Sequence, residues 1–121
     1  MSILTAYKEL IFAVDFDGTL ATSNFPDIGK PIQETIDFCK NRKALGDYLI
    51  LWTNRHDERL AEAVQWCLDQ GLIFDTVNEN LPHIIEYFDG DCRKIFANYY
   101  IDDRNLSLED IKYDNFQERG Y

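Results

Sequence analysis

The chain has little of what a soft metal site or a disulfide framework needs. Its 121 residues include two histidines, one methionine and three cysteines. His56 and His83 are too few and too far apart to suggest a zinc site. Cys39, Cys67 and Cys92 make an odd count without metal-type spacing, which reads as core thiols in a reducing compartment. Positive charge is scarce too: 12 Lys and Arg stand against 22 Asp and Glu, for a net charge of −10. Such a surface repels polyanions and argues against general nucleic-acid binding, which needs a basic footprint. It leaves room for a small phosphate ligand, since a metal ion and a few local cations can reverse the potential inside a pocket. No apolar run is long enough to span a bilayer, so no membrane partner is expected. The start, MSILTAYKELIF, lacks the basic region and long apolar stretch of a signal peptide, and the expected location is cytoplasmic.

What is present is globular composition, with 45% hydrophobic and 28% charged residues. The length suits one domain over residues 1–121. Strands and helices alternate along it. Leu10–Val14 is unbroken and apolar, as in a strand buried on both faces. Residues 19–30 read as a loop, and Pro31 suits the first turn of a helix that places Ile32, Ile36 and Cys39 on one face and stops near Gly46. Tyr48–Trp52 is a second strand. Asp57–Gln70 is an amphipathic helix with Leu60, Ala61, Val64, Cys67 and Leu68 inward, stopped by Gly71. Phe74–Val77 is a third strand, Pro82–Phe88 a short helix and Ile95–Ile101 a fourth strand. Residues 105–121 form a tail without a clear pattern, although Ser107 and Asp110 suit the cap of one helical turn. This alternation predicts an α/β fold: a three-layer α/β/α, Rossmann-like parallel sheet.

In such sheets ligands bind beyond the C-terminal ends of the strands. Asp15 and Asp17 follow strand one, Thr53, Asn54 and Arg55 follow strand two, and Asp102 and Asp103 follow strand four. Either acid pair alone is explained by a solvated turn. Two pairs at one sheet edge repel unless a cation sits among them, and with no sulfur or imidazole nearby the first choice is Mg²⁺. The Thr53 hydroxyl suits either a cap, in competition with Asn54 or Asp57, or a phosphate cradle at a helix start. Lys94, just before strand four, reads as a surface lysine or as a cation for an anionic ligand.

Asp15-Phe16-Asp17-Gly18-Thr19, then Thr53, then Lys94, then Asp102-Asp103, all in this order and each beside an apolar strand, resemble the haloacid dehalogenase-like (HAD) phosphohydrolase superfamily. The stretches LWTNRH, EAVQWC and YYIDDRN are also similar to a small bacterial HAD-like subgroup. The resemblance implies Asp15 as nucleophile, forming an aspartyl-phosphate, and Asp17 as general acid and then base. It implies a Mg²⁺ site of Asp15, the Asp17 backbone carbonyl, Asp102 and Asp103, with Asp102 favoured as the direct ligand of that last pair. Thr53, its neighbouring amides and Lys94 would bind the phosphoryl oxygens. An aspartate at position 17 points to the phosphoryl-transfer branch, not to dehalogenases.

Superfamily members often carry a cap domain after strand one or strand three. Residues 15–47 and 78–94 each contain a helix and leave no room for one, since even a small domain needs roughly 40 residues. A capless, open site is expected, unless an oligomeric neighbour covers it. Arg55, His56 and Arg104 could then touch the leaving group, with Phe25, Asn80 and His83 on bordering loops. The function implied is a phosphomonoesterase acting on a small phosphorylated substrate. A phosphotransferase, a nucleotide or nucleic-acid-end phosphatase and a non-catalytic phosphate-binding protein stay open. Bacterial receiver domains use similar groups, but there the lysine follows the last acid, whereas Lys94 precedes Asp102.

Overall fold

In the computed structural model, which describes residues 9–113, the strands form where the apolar runs are least interrupted. β1 (Ile11–Val14) is buried along its whole length, and β2 (Tyr48–Leu51) at all but its first residue. β3 (Thr76–Val77) and β4 (Tyr99–Ile101) are shorter. The sheet is parallel throughout, in the order β3-β2-β1-β4, with Val14 opposite Leu51 on one side and Ile101 on the other. Successive side chains leave a strand on opposite faces. Phe12, Val14, Leu49 and Leu51 therefore share one core with Ile36 and Cys39 of α1 (Gln33–Ala44) and with Ala63 and Cys67 of α2 (Asp57–Asp69). Ile11, Ala13 and Ile50 face the other way, onto Ile84 of α3 (Pro82–Phe88) and onto Ile95. The result is the expected three-layer α/β/α, Rossmann-like sheet, and no cap domain occurs among the described residues. No described helix is long and apolar enough to cross a membrane.

Several local expectations need correction. α1 begins two residues after Pro31, because Pro31 bridges to Ala21 and the Ile32 N–H donates to the Leu20 carbonyl at 2.8 Å. The inward face of α2 is Leu60, Ala63, Val64 and Cys67, the i, i+3, i+4, i+7 set of a helix. Ala61 and Leu68, expected inside, are exposed. β4 starts four residues later than the apolar run suggests. The Phe96 and Ala97 N–H groups are taken by the Asn80 side chain (2.7 Å) and the Tyr100 hydroxyl (3.2 Å), not by a neighbouring strand. Cys39 and Cys67 are core thiols, and burial pushes them up to about 11 and about 12; Cys92 is exposed. In the tail, α4 (Leu108–Tyr113) follows Ser107, whose carbonyl accepts the Ile111 N–H at 3.1 Å. Residues 114–121 lie outside the described residues.

Acids mark both ends of the sheet. At the N-terminal end, Asp47 accepts the Leu10 N–H (2.9 Å) and pairs with Arg42 (Nε–Oδ2 2.7 Å). Asp75 accepts the Leu49 N–H (2.8 Å) and pairs with Lys43 (2.6 Å). Arg42 and Lys43 stand side by side in the last turn of α1, where cations also suit the helix dipole. At the other end, the chain has run outward from β1 to β3 and then crossed back to β4. The order reverses between β1 and β4, and a crevice at such a switch point is where open α/β sheets bind ligands.

Candidate active site

Asp15 is delivered to that crevice by the sheet itself. Its N–H donates to the Ile101 carbonyl at 2.9 Å, so the β1–β4 ladder runs one step past β1. A tight turn follows. The carbonyl of Phe16, a fully buried residue, accepts N–H groups from Thr19, Leu20 and Ala21 at 2.9 to 3.2 Å. Gly18 sits at φ +85°, and a Cβ on it would run into the Asp103 carboxylate. Glycine is thus what lets the acid after β4 close over the turn after β1.

Asp15, Asp102 and Asp103 each offer a carboxylate oxygen within 4.8 Å of the other two. Burial first, and the Asp102 charge next, push the Asp15 carboxyl from 3.8 up to about 6. Asp103 adds to this push, while the Phe16 amide and the Thr19 hydroxyl, which donates to Asp15 Oδ2 at 3.3 Å, oppose it.

The Asp17 carboxylate lines the same cavity but is not part of this trio. Arg55 grips it as a fork, Nε to Oδ2 at 2.8 Å and Nη2 to Oδ1 at 2.7 Å. The same guanidinium donates to the Pro26 carbonyl (3.1 Å) and the Asp27 carbonyl (2.8 Å). It also lies over the rings of Phe16 and Phe25, 5.1 Å from each centroid. The hydrogen bonding that Arg55 donates to Asp17 is the main cause that raises the Arg55 pKa. Arg55 is buried, and four of its five guanidinium N–H donors are engaged within the chain, which leaves little of the fork for a ligand in the cavity that it lines.

Thr53 follows β2. Its N–H donates to Asn78 Oδ1 (2.8 Å), and its Oγ1 accepts the Arg55 N–H (3.1 Å). The cap position of α2 is His56, with no side-chain cap bond, so neither Asn54 nor Asp57 caps it. Asp15, Asp17, Thr53, Asn54, Arg55, Asp102 and Asp103 line one cavity of about 410 Å³. Ser23, Phe25 and Arg104 complete its wall.

Lys94 is not among them. It is exposed and lies in a neighbouring groove with Trp52 and Tyr100, sharing Asp102 with the cavity. Its loop is fastened by buried Asn80, whose side chain donates to Asp91 Oδ1 and the Cys92 carbonyl and accepts the Phe96 N–H. Asn80 is therefore a loop anchor and not a residue of the cavity wall. His83 packs on the Tyr48 ring, 5.1 Å between centroids, and His56 pairs with Asp57 in solvent at 3.1 Å. Neither lines the cavity. Sequence reasoning missed the Arg55–Asp17 pair and Ser23. Arg55 and Asp17 were both expected at one sheet edge, but no local pattern pairs them or brings Ser23 to the wall.

A Rossmann-like parallel sheet with an acidic cavity at its switch point is the class that this fold and site define. No family model and no curated protein matches the chain. It is similar to a solved structure of a conserved protein from Bacteroides thetaiotaomicron, with 36% identity over 88% of each chain and a TM-score of 0.72. The chain belongs to the same family as that Bacteroides protein.

Proposed function

We propose that the chain is a Mg²⁺-dependent phosphomonoesterase working through an aspartyl-phosphate on Asp15, as its resemblance to HAD phosphohydrolases implies. The observation that carries this reading is the gathering of Asp15, Asp102 and Asp103 oxygens within 4.8 Å at the switch point, in one cavity with Asp17 and Thr53. The donors are all hard oxygens, which suits Mg²⁺. Burial is the larger cause of the upward push on Asp15, and a divalent cation would relieve the part that comes from Asp102 and Asp103. Asp15, Asp102, Asp103 and the backbone carbonyl of Asp17 would hold the ion. Its chemistry there would be to offset the charge of the phosphoryl group.

Asp15 attacks phosphorus with a carboxylate oxygen, and the bond from phosphorus to the leaving oxygen breaks as the new one forms. Asp17 gives its proton to that leaving oxygen, then takes one from the water that hydrolyses the aspartyl-phosphate. Arg55 fixes the orientation of Asp17, and its fork must loosen for Asp17 to carry a proton. The Thr53 hydroxyl accepts the Arg55 N–H and keeps its own hydrogen to donate to a phosphoryl oxygen. Lys94, in the groove on the other side of Asp102, would have to reach into the cavity to take part. Release of inorganic phosphate from a panel of phosphomonoesters, with and without Mg²⁺, tests the reading. Turnover is expected in the wild type with Mg²⁺ and not in Asp15→Asn, and equal turnover in the two would overturn it.

A further inference from the structure

The loop of residues 22–30 gives Ser23 and Phe25 to the cavity wall, and it is tied at its base and its tip. At the base, the Thr22 N–H donates to the Lys30 carbonyl (2.8 Å) and Thr22 Oγ1 accepts the Lys30 N–H (2.7 Å). Gly29 permits that closure, since a Cβ on it would run into the Thr22 carbonyl. At the tip, Arg55 holds the carbonyls of Pro26 and Asp27. Phe25 stands beside them with one ring face on the Arg55 guanidinium, yet it is 62% exposed. Every other side chain on the cavity wall is polar or charged. A large apolar ring is thus held at the edge of an otherwise polar site, where it contributes nothing to either hydrophobic core. Fixing the loop costs conformational entropy, and exposing the ring forgoes burial. Both costs are offset if a ligand covers the ring.

We propose that Phe25 is the platform for the leaving group, and that the site takes phosphomonoesters whose alcohol part carries a flat ring, such as an aryl phosphate or a nucleoside monophosphate. This rests on the phosphomonoesterase reading. The phosphoryl group lies against Asp15 and Thr53, and the ring of the ester stacks on Phe25. A cavity of about 410 Å³ holds a small ester of this kind, and the net charge of −10 disfavours a polymeric one.

The test is the ratio of kcat/KM for phenyl phosphate to that for methyl phosphate, with Mg²⁺, in the wild type, Phe25→Ala, Phe25→Leu and Phe25→Tyr. Circular dichroism checks that each variant is folded. Aromatic pairing predicts a Phe25-dependent part of this preference of about two- to twelvefold. The ratio should fall by that factor in Phe25→Leu, which keeps an apolar side chain but loses the ring, and in Phe25→Ala. It should hold in Phe25→Tyr. No ring preference in the wild type, or the same preference in all four proteins, overturns the platform. Absence of turnover with every ester overturns the phosphomonoesterase reading instead. The platform is then decided by calorimetric binding of the same two esters to the Mg²⁺-loaded proteins. Tighter phenyl phosphate binding that Phe25→Leu abolishes supports it, and equal or undetectable binding overturns it.

Discussion

Arg55 and Asp17 meet fork to fork, the arginine side chain 1% exposed and the aspartate 22%. The pair joins the start of α2 to the turn after β1, and through Pro26 and Asp27 it also holds the loop of residues 22–30.

Arg55→Ala is therefore expected to destabilise the fold by about 2–4 kcal/mol. That is somewhat less than the loss of one partner of a fully buried pair, because Asp17 keeps some contact with water. Arg55→Lys should recover only part of the loss, since a point ammonium cannot serve both Asp17 oxygens and two carbonyls together. Urea unfolding measures both.

Asp15 makes stability depend on pH. Its folded value of about 6 exceeds the ordinary 3.8, so between these values the native state binds more protons than the unfolded one. Stability should then fall as pH rises from about 4 to about 6, and stay low above that range. Asp15→Asn removes the charge, so in metal-free buffer at pH 7 it should melt at a higher temperature than the wild type. Thermal melts across this pH range, with a chelator present, check the sign.

Mg²⁺ should reverse that penalty. At about 100 times its Kd, an ion that binds only the native state adds about 2.7 kcal/mol. The wild-type melting temperature at pH 7 should rise with Mg²⁺, and Asp102→Asn and Asp103→Asn should each weaken the rise.

Gly18→Ala should be destabilising by about 1–3 kcal/mol, since it puts a side chain at φ +85°. Its Cβ would also displace the Asp103 carboxylate, so the Mg²⁺-dependent rise should shrink along with the stability. A rise of wild-type size would mean that Asp103 does not need its present place.

Much of this architecture was legible in the chain because parallel strands buried on both faces must be apolar at every position, and Ile11–Val14 and Leu49–Leu51 are. The convergence of Asp15, Thr53 and Asp102 followed from chain order alone, because every parallel strand ends at the same edge. Side-chain partners did not follow. Nothing in local pattern says that Arg55 reaches back 38 positions to Asp17, or that Asn80 fastens the loop carrying Lys94 away from the cavity. The outward turn of Leu68 was missed because an apolar residue near a helix end fits the periodic pattern as well as Ala63 does. Only packing against the sheet decides which of them goes inside.

The two rims of the sheet differ in how they settle their charge. Along the lower rim, Asp47 and Asp75 have Arg42 and Lys43 supplied by the last turn of α1, so their neutralisation is built into the chain. Along the upper rim, Asp15, Asp102 and Asp103 are pressed against one another. The lower rim carries its own counter-ions and should not depend on a divalent cation. On the proposed reading, the upper rim takes a counter-ion from solution, and its state would follow the divalent cations that the surroundings provide.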